Sequence, residues 1–166
     1  MAKITLKGNE INTSRNIPNN GSLAIDFNLT ATDLTTKTLA DFKGKKLVFN
    51  IFPSIDTGTC AASVRNFNKE AAQLKNAIVL CISRDLPFAQ KRFCGAEGIE
   101  NVIMLSDFKT GKFGKDYGIE IIDGPLSGLH SRCVIIINEN GEISYSEQVK
   151  EITNEPNYQA ALEVLK

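Results

Sequence analysis

Polar and apolar positions change their rhythm several times along the chain, and each rhythm predicts an element. In K-I-T-L-K-G-N-E-I-N-T (3–13), Ile4, Leu6 and Ile11 are interleaved with polar residues on either side of Lys7-Gly8-Asn9. That pattern predicts a small β-hairpin. A second short strand is expected at Leu23 to Phe27. The stretch T-D-L-T-T-K-T-L-A-D-F-K-G-K-K (32–46) repeats Thr and Asp and contains the turn Lys43-Gly44-Lys45, so it reads as a loop. K-L-V-F-N-I-F-P-S (46–54) is an apolar run ended by Pro53, as expected of a strand buried on both faces. From Cys60 to Leu74 the period lengthens. Val64, Phe67, Ala71 and Leu74 recur at three and four residues, the spacing of an amphipathic helix.

The second half continues the alternation. A-I-V-L-C-I-S (77–83) predicts another buried strand, and D-L-P-F-A-Q-K-R-F-C-G-A-E-G (85–98) a helix with Pro87 in its first turn and Gly95 and Gly98 near its end. V-I-M-L-S-D (102–107) is a short strand, and residues 109–118 form a glycine-interrupted helical or loop segment. R-C-V-I-I-I-N and G-E-I-S-Y-S-E-Q-V are two strands joined across Glu139-Asn140-Gly141, and Asn-Gly is a strong hairpin signal. A last helix runs from Glu155 to Lys166, with Pro156 near its start. This order predicts an α/β fold: a mixed central β-sheet flanked by helices, with an N-terminal β-hairpin. Thioredoxin-like architecture has the same order of elements. No repeat or linker interrupts the chain, so residues 1–166 are expected to form a single domain.

Composition narrows the function. The 166 residues are 42% apolar and 23% charged, enough for a real core without staples. Lys plus Arg total 19 and Asp plus Glu total 19, so there is no basic excess for a nucleic acid or an anionic membrane. The longest apolar stretch, Ala77 to Ile82, is far below the ~18 residues that would suggest a bilayer span. M-A-K-I-T-L-K-G-N-E has no apolar h-region and no small-residue cleavage site, so no signal peptide and a cytoplasmic location are expected.

Four cysteines carry the candidate chemistry. Cys81 and Cys133 sit in apolar strand patterns and read as small core hydrophobes. The spacings of 21, 13 and 39 residues contain no Cys-x-x-Cys pair, and the chain has one histidine, so a structural zinc site is disfavoured. That histidine, His130, reads as a solvated loop residue. Cys60 follows a strand and the loop P-S-I-D-T-G-T at the start of the amphipathic helix, where unpaired N–H groups and the helix dipole favour a thiolate. Position alone equally describes a cysteine that is merely the first packed residue of its helix. Cys94 lies in a polar segment near Gly95 and Gly98, either accessible or packed at a helix end.

The residues around Cys60 separate the readings. P-S-I-D-T-G-T-C, with Pro53, Thr57 and Cys60, matches the P-x-x-x-(T/S)-x-x-C signature of the peroxiredoxins. D-T-G-T-C-A-A-S-V-R-N-F-N resembles the active-site segment of the bacterial thiol peroxidases, an atypical two-cysteine branch of that superfamily. R-F-C-G-A-E-G-I (92–99) resembles the same family's resolving-cysteine segment. The likeness extends from the N-terminal hairpin to S-E-Q-V-K-E-I-T-N-E-P-N-Y. Where the family more often has an apolar residue before the cysteine, this chain has Thr59.

The resemblance implies a division of labour. Cys60 would be the peroxidatic cysteine and Cys94 the resolving one. Pro53 would shield the thiolate, Thr57 would hydrogen-bond the bound hydroperoxide, and Arg132 would hold the sulfur ionised. In isolation Arg132 reads as a solvated arginine at a strand edge. The implied cycle takes a hydroperoxide substrate through a Cys60 sulfenic acid to an intramolecular Cys60–Cys94 disulfide, reduced by a thioredoxin-like partner. No metal, flavin or haem is needed, because the substrate is the oxidant. The resemblance also implies a homodimer. Because both cysteines fall in helical segments with axes typically ~8–10 Å apart, and a disulfide needs Cα atoms within ~7 Å, the bond is expected to require local unwinding. Two rival functions remain. A disulfide oxidoreductase would want a second cysteine beside Cys60, where Ala61-Ala62-Ser63 stands instead. A peroxide-responsive redox sensor, passing its disulfide to a partner protein, would share the first half-reaction.

Overall fold

Two strands open the chain, β1 (Lys3–Leu6) and β2 (Asn9–Asn12), paired antiparallel across the Lys7-Gly8 turn in the computed structural model, which describes residues 1–166. The strands β3 (Leu29–Ala31) and β4 (Thr36–Lys37) follow, then a 3-10 turn over Leu39–Phe42 and the strand β5 (Lys46–Ile51). Helix α1 (Gly58–Ala71), strand β6 (Ala77–Ser83), helix α2 (Pro87–Glu97), strand β7 (Ile103–Ser106) and helix α3 (Lys112–Asp116) come next. Strands β8 (Cys133–Ile137) and β9 (Ile143–Gln148) and helix α4 (Tyr158–Val164) complete the chain.

Seven strands form one mixed sheet in the order β4-β3-β7-β6-β5-β8-β9. β5, β6 and β7 run parallel; β8 and β9 on one side, and β3 and β4 on the other, pair antiparallel. The central strands are buried on both faces, which is why their sequences are continuous apolar runs. Period-two alternation sorts them. Leu47, Phe49, Ile51, Leu80, Ile82, Cys133 and Ile135 face one core, with Phe27, Phe42, Phe113 of α3 and Tyr117. Val48, Phe52, Val79, Cys81, Val134 and Ile136 face the other, under Cys60, Val64 and Phe67 of α1, Phe93 and Cys94 of α2, and Ala161 of α4. The two cysteine-bearing helices therefore share one face of the sheet.

Two expectations fail in the N-terminal third. Leu23 to Phe27 is not a strand. Leu23 makes an isolated bridge to Glu142 and Ala24 N donates to Gly141 O, but from Ile25 on the backbone turns to side chains: Tyr117 Oη donates to Ile25 O at 2.7 Å and accepts from Ile25 N, and Asp26 Oδ1 accepts from Phe27 N and Leu39 N. The apolar pattern there reports Phe27 reaching the core, not a ladder. The supposed loop 32–46 contains β4 and the 3-10 turn, whose start is fixed by Asp41 Oδ2 accepting from Thr38 N at 2.7 Å. The T-x-x-D spacing of Thr38 and Asp41 is a local capping signal that the Thr-rich composition obscured. Elsewhere, Pro87 takes the first position of α2, and Gly98, with φ 64°, closes the helix in the left-handed conformation that glycine adopts without cost.

Candidate active site

The loop after β5 is built as a rigid ledge. Phe52 N donates to Ile82 O at 3.2 Å, which keeps the chain on the sheet up to the buried Pro53. Asp85, just past β6, then holds the ledge: its carboxylate accepts from Ser54 Oγ at 2.8 Å, Ile55 N at 2.7 Å and Ser83 Oγ at 2.6 Å. Thr57 closes the turn. Both its backbone N–H and its hydroxyl donate to Ser54 O, at 3.2 and 3.1 Å. Thr57 is exposed and stands at the N-cap position of α1, but its hydroxyl does not cap the helix. The hydroxyl oxygen keeps lone pairs for an incoming donor.

Cys60 is the third residue of α1 and is wholly buried. A helix start leaves its first N–H groups without intrahelical partners and places the positive end of the dipole there. Arg132, immediately before β8, reaches the same point. Its side chain is buried rather than solvated, with Nη2 3.4 Å from Cys60 Sγ and Nε donating to Ile152 O at 2.9 Å. Its remaining nitrogen, Nη1, is buried with no partner. A guanidinium is permanently charged and strongly hydrogen-bonding, so a buried N–H left idle is an exception among buried polar groups.

The segment that orients Arg132 is itself tied down. Thr59 Oγ1, in the first turn of α1, donates to Thr153 O at 3.0 Å. The Glu151 carboxylate accepts from Thr5 Oγ1 at 2.7 Å, Lys7 N at 2.9 Å, Gly8 N at 3.0 Å and Thr153 Oγ1 at 2.8 Å, so the N-terminal hairpin braces residues 150–153. These bonds, the Thr5 hydroxyl first, hold the Glu151 carboxyl at about 2, below the usual 4.5. A depressed carboxyl contributes stability above its unfolded value and loses it as pH falls towards its folded value. Acidification from about 4.5 to about 2 should therefore loosen the hairpin. Hydrogen exchange should rise over residues 3–12 across that window, and Glu151→Gln should reduce the pH dependence around residues 5–8, leaving that of Asn12, whose N–H groups bond the similarly depressed Asp123 carboxylate.

Cys94 lies in the last turn of α2. It is half-buried and lines a cavity of about 230 Å³ with Ala31, Lys91, Ile99, Val102 and Met104. Burial pushes its thiol pKa up. α2 is fastened to α1 and its approach by two ion pairs: Arg65 with Glu97, through two bonds of 3.0 Å, and Arg92 with Asp56 at 3.1 Å. All four thiols are free. Cys81 and Cys133 are fully buried, and burial pushes both thiols up to about 12.

His130 departs from expectation. It is fully buried, not solvated, with Nε2 3.1 Å from Asp107 Oδ2 in a geometry that does not align as a hydrogen bond. Gly114 makes room for it, since a Cβ there would lie 2.5 Å from the imidazole Cε1. No three His, Cys, Asp or Glu side chains gather so as to hold a metal ion, and no helix is long and apolar enough to cross a membrane.

Sequence reasoning missed Asp85 and Glu151, which shape the site without touching Cys60. D-L-P-F-A-Q carried a signal for the first, an acidic residue at a strand-to-helix junction, but nothing local showed that it reaches back to Ser54.

Known proteins share this arrangement over nearly the full chain. The Redoxin family model matches residues 19–162. The thiol peroxidases of Mycobacterium bovis and Mycobacterium tuberculosis are each 53% identical over 165 residues, which cover 99% of this chain and 99% of theirs. A peroxiredoxin-like protein from Aquifex aeolicus superposes with a TM-score of 0.94 at 35% identity, covering 99% of this chain and 96% of that one. The thiol peroxidase from Chromobacterium violaceum, 20% identical, shares the fold with a TM-score of 0.91, covering 99% of this chain and 96% of that one. The thioredoxin-like sheet, the helix-start cysteine and these relatives place the chain in the redoxin family, among the thiol peroxidases.

Proposed function

We propose that this thiol peroxidase reduces hydrogen peroxide and organic hydroperoxides through Cys60 and Cys94, and is recycled by a thioredoxin-like protein. The observation that carries the reading is the guanidinium of Arg132, one nitrogen on the Cys60 sulfur and another buried and unpartnered beside it. The Cys60 thiolate attacks one oxygen of R–O–O–H. The S–O bond forms as the O–O bond breaks, and the leaving R–O⁻ takes a proton to become an alcohol, or water when R is hydrogen. Charge develops on that oxygen, and donors fixed in advance stabilise it without reorganising. In this reading Arg132 Nη1 and the N–H groups opening α1 are those donors, the Thr57 hydroxyl, whose proton goes to Ser54 O, accepts from the incoming hydroperoxide, and Pro53 walls the sulfur from bulk water.

The Cys94 sulfur then attacks the sulfenic sulfur, forming S–S and releasing water. Both residues lie in helices in the reduced protein, and burial pushes the Cys94 thiol up, so leaving the helix would bring the two sulfurs together and raise the thiolate fraction of the attacker. A dithiol reductant restores both thiols and is itself oxidised to a disulfide. The homodimer implied by family membership belongs to the same proposal.

The test is a coupled assay in which reduced thioredoxin is supplied catalytically and several hydroperoxides are offered in excess. Many turnovers per chain are expected. One oxidation per chain, with the disulfide passed on only to another protein, would make the chain a redox sensor instead.

A further inference from the structure

β5 carries one polar side chain that its position does not call for. Asn50 lies at the centre of the sheet, wholly buried, between apolar neighbours on β6 and β8. Its Nδ2 donates to Ser63 Oγ at 3.2 Å and to Cys81 Sγ at 3.6 Å, while its Oδ1 is buried without a partner. Ser63, also wholly buried, donates its hydroxyl to the carbonyl of Cys60 at 2.8 Å. A chain of hydrogen bonds thus runs from the central strand through Ser63 to the backbone of the reactive cysteine. An apolar residue at position 50 would avoid the orphaned acceptor, which is costly in a dry interior.

We infer that Asn50 and Ser63 are positioning residues that tether the Cys60 turn to the sheet and set how readily it leaves. The inference rests on the proposed Cys60–Cys94 cycle. In the reduced protein the single hydroxyl proton of Ser63 is committed to Cys60 O. When the turn unwinds, that acceptor departs. The hydroxyl is satisfied in the held state and loses its acceptor in the released one, so the bond favours the held turn. That bond therefore controls the fate of the sulfenic acid: release leads to the disulfide, whereas retention exposes the sulfur to a second hydroperoxide, which adds one oxygen to give sulfinic acid and leaves an alcohol or water.

Ser63→Ala removes the hold with little change in volume. Rapid-quench mass spectrometry should show the disulfide forming about five-fold faster after one equivalent of hydroperoxide, the scale of one neutral hydrogen bond. The sulfinic fraction at high hydroperoxide should fall in step, while the oxidation step itself stays within about two-fold. Asn50→Leu should act in the same direction. The double variant should do no more than the stronger single one, because the two residues act through one chain. In the reduced protein, labelling of Cys60 by a bulky maleimide should also quicken in Ser63→Ala, a readout that needs no disulfide. Unchanged partition and unchanged labelling in folded Ser63→Ala would overturn the tether. A parent protein that forms no Cys60–Cys94 disulfide would instead overturn the proposed cycle, and the maleimide rates would still decide the tether.

Discussion

Cys60→Ser is expected to abolish hydroperoxide turnover, and Cys94→Ser to leave one fast oxidation per chain without recycling through an intramolecular disulfide. The contrast follows from what each sulfur does. A serine hydroxyl at position 60 would sit in the same first turn against Arg132, but it stays protonated at neutral pH and does not attack an O–O bond. Loss of Cys94 leaves the Arg132 contact and the ledge intact, so the first oxygen transfer proceeds and the sulfenic acid waits for an external thiol. Cys81→Ala and Cys133→Ala remove strand thiols that burial keeps neutral. They should cost stability, roughly 0.5–3 kcal/mol, and retain most of the activity. Consumption of hydroperoxide and titration of free thiols separate the four variants. Loss of turnover in Cys81→Ser with retention in Cys94→Ser would reassign the resolving cysteine.

Arg132→Met should slow the hydroperoxide step about 100-fold, the scale of losing one preorganised donor at a developing anion. Methionine fills much of the same space, so the sulfur stays covered while its charged neighbour disappears. The loss extends further, because Nη1 goes as well as Nη2, and Ile152 O is left without the Nε donor. Stopped-flow consumption of hydroperoxide and alkylation of Cys60 at neutral pH should slow together. Arg132→Lys restores charge without the fork, and it should recover part of the alkylation rate but little of the hydroperoxide rate. Equal rates in the parent and in Arg132→Met would mean that the guanidinium serves only to hold residues 150–153.

How much of this the sequence reveals depends on the range of each interaction. β5, β6 and β8 are legible because burial on both faces leaves continuous apolar runs, and α1 is legible because one buried stripe recurs at helical spacing. Pro87 and Gly98 mark the limits of α2 through their own backbone preferences. Leu23 to Phe27 misleads because the same alternation serves a segment in which Ile25 bonds the Tyr117 hydroxyl, 92 residues away, instead of a neighbouring strand. The supports of the site are of that long-range kind. Asp85 reaches back 30 residues to Ile55, and Glu151 reaches 146 residues to Thr5. His130 is buried only because Gly114 lacks a side chain. Cys60 and Thr57 lie within one short motif and are read together; that Arg132 lies against Cys60 is a fact of the fold, 72 residues removed.

The central claim is that oxidation at Cys60 is resolved by Cys94. Peptide mapping by mass spectrometry, on protein treated with one equivalent of hydroperoxide and alkylated before digestion, tests it most directly. The account predicts a single cross-linked pair joining the Cys60 and Cys94 peptides, with Cys81 and Cys133 recovered alkylated. A Cys60 thiol still free after the hydroperoxide is consumed, or a bond from Cys60 to Cys81, would contradict it.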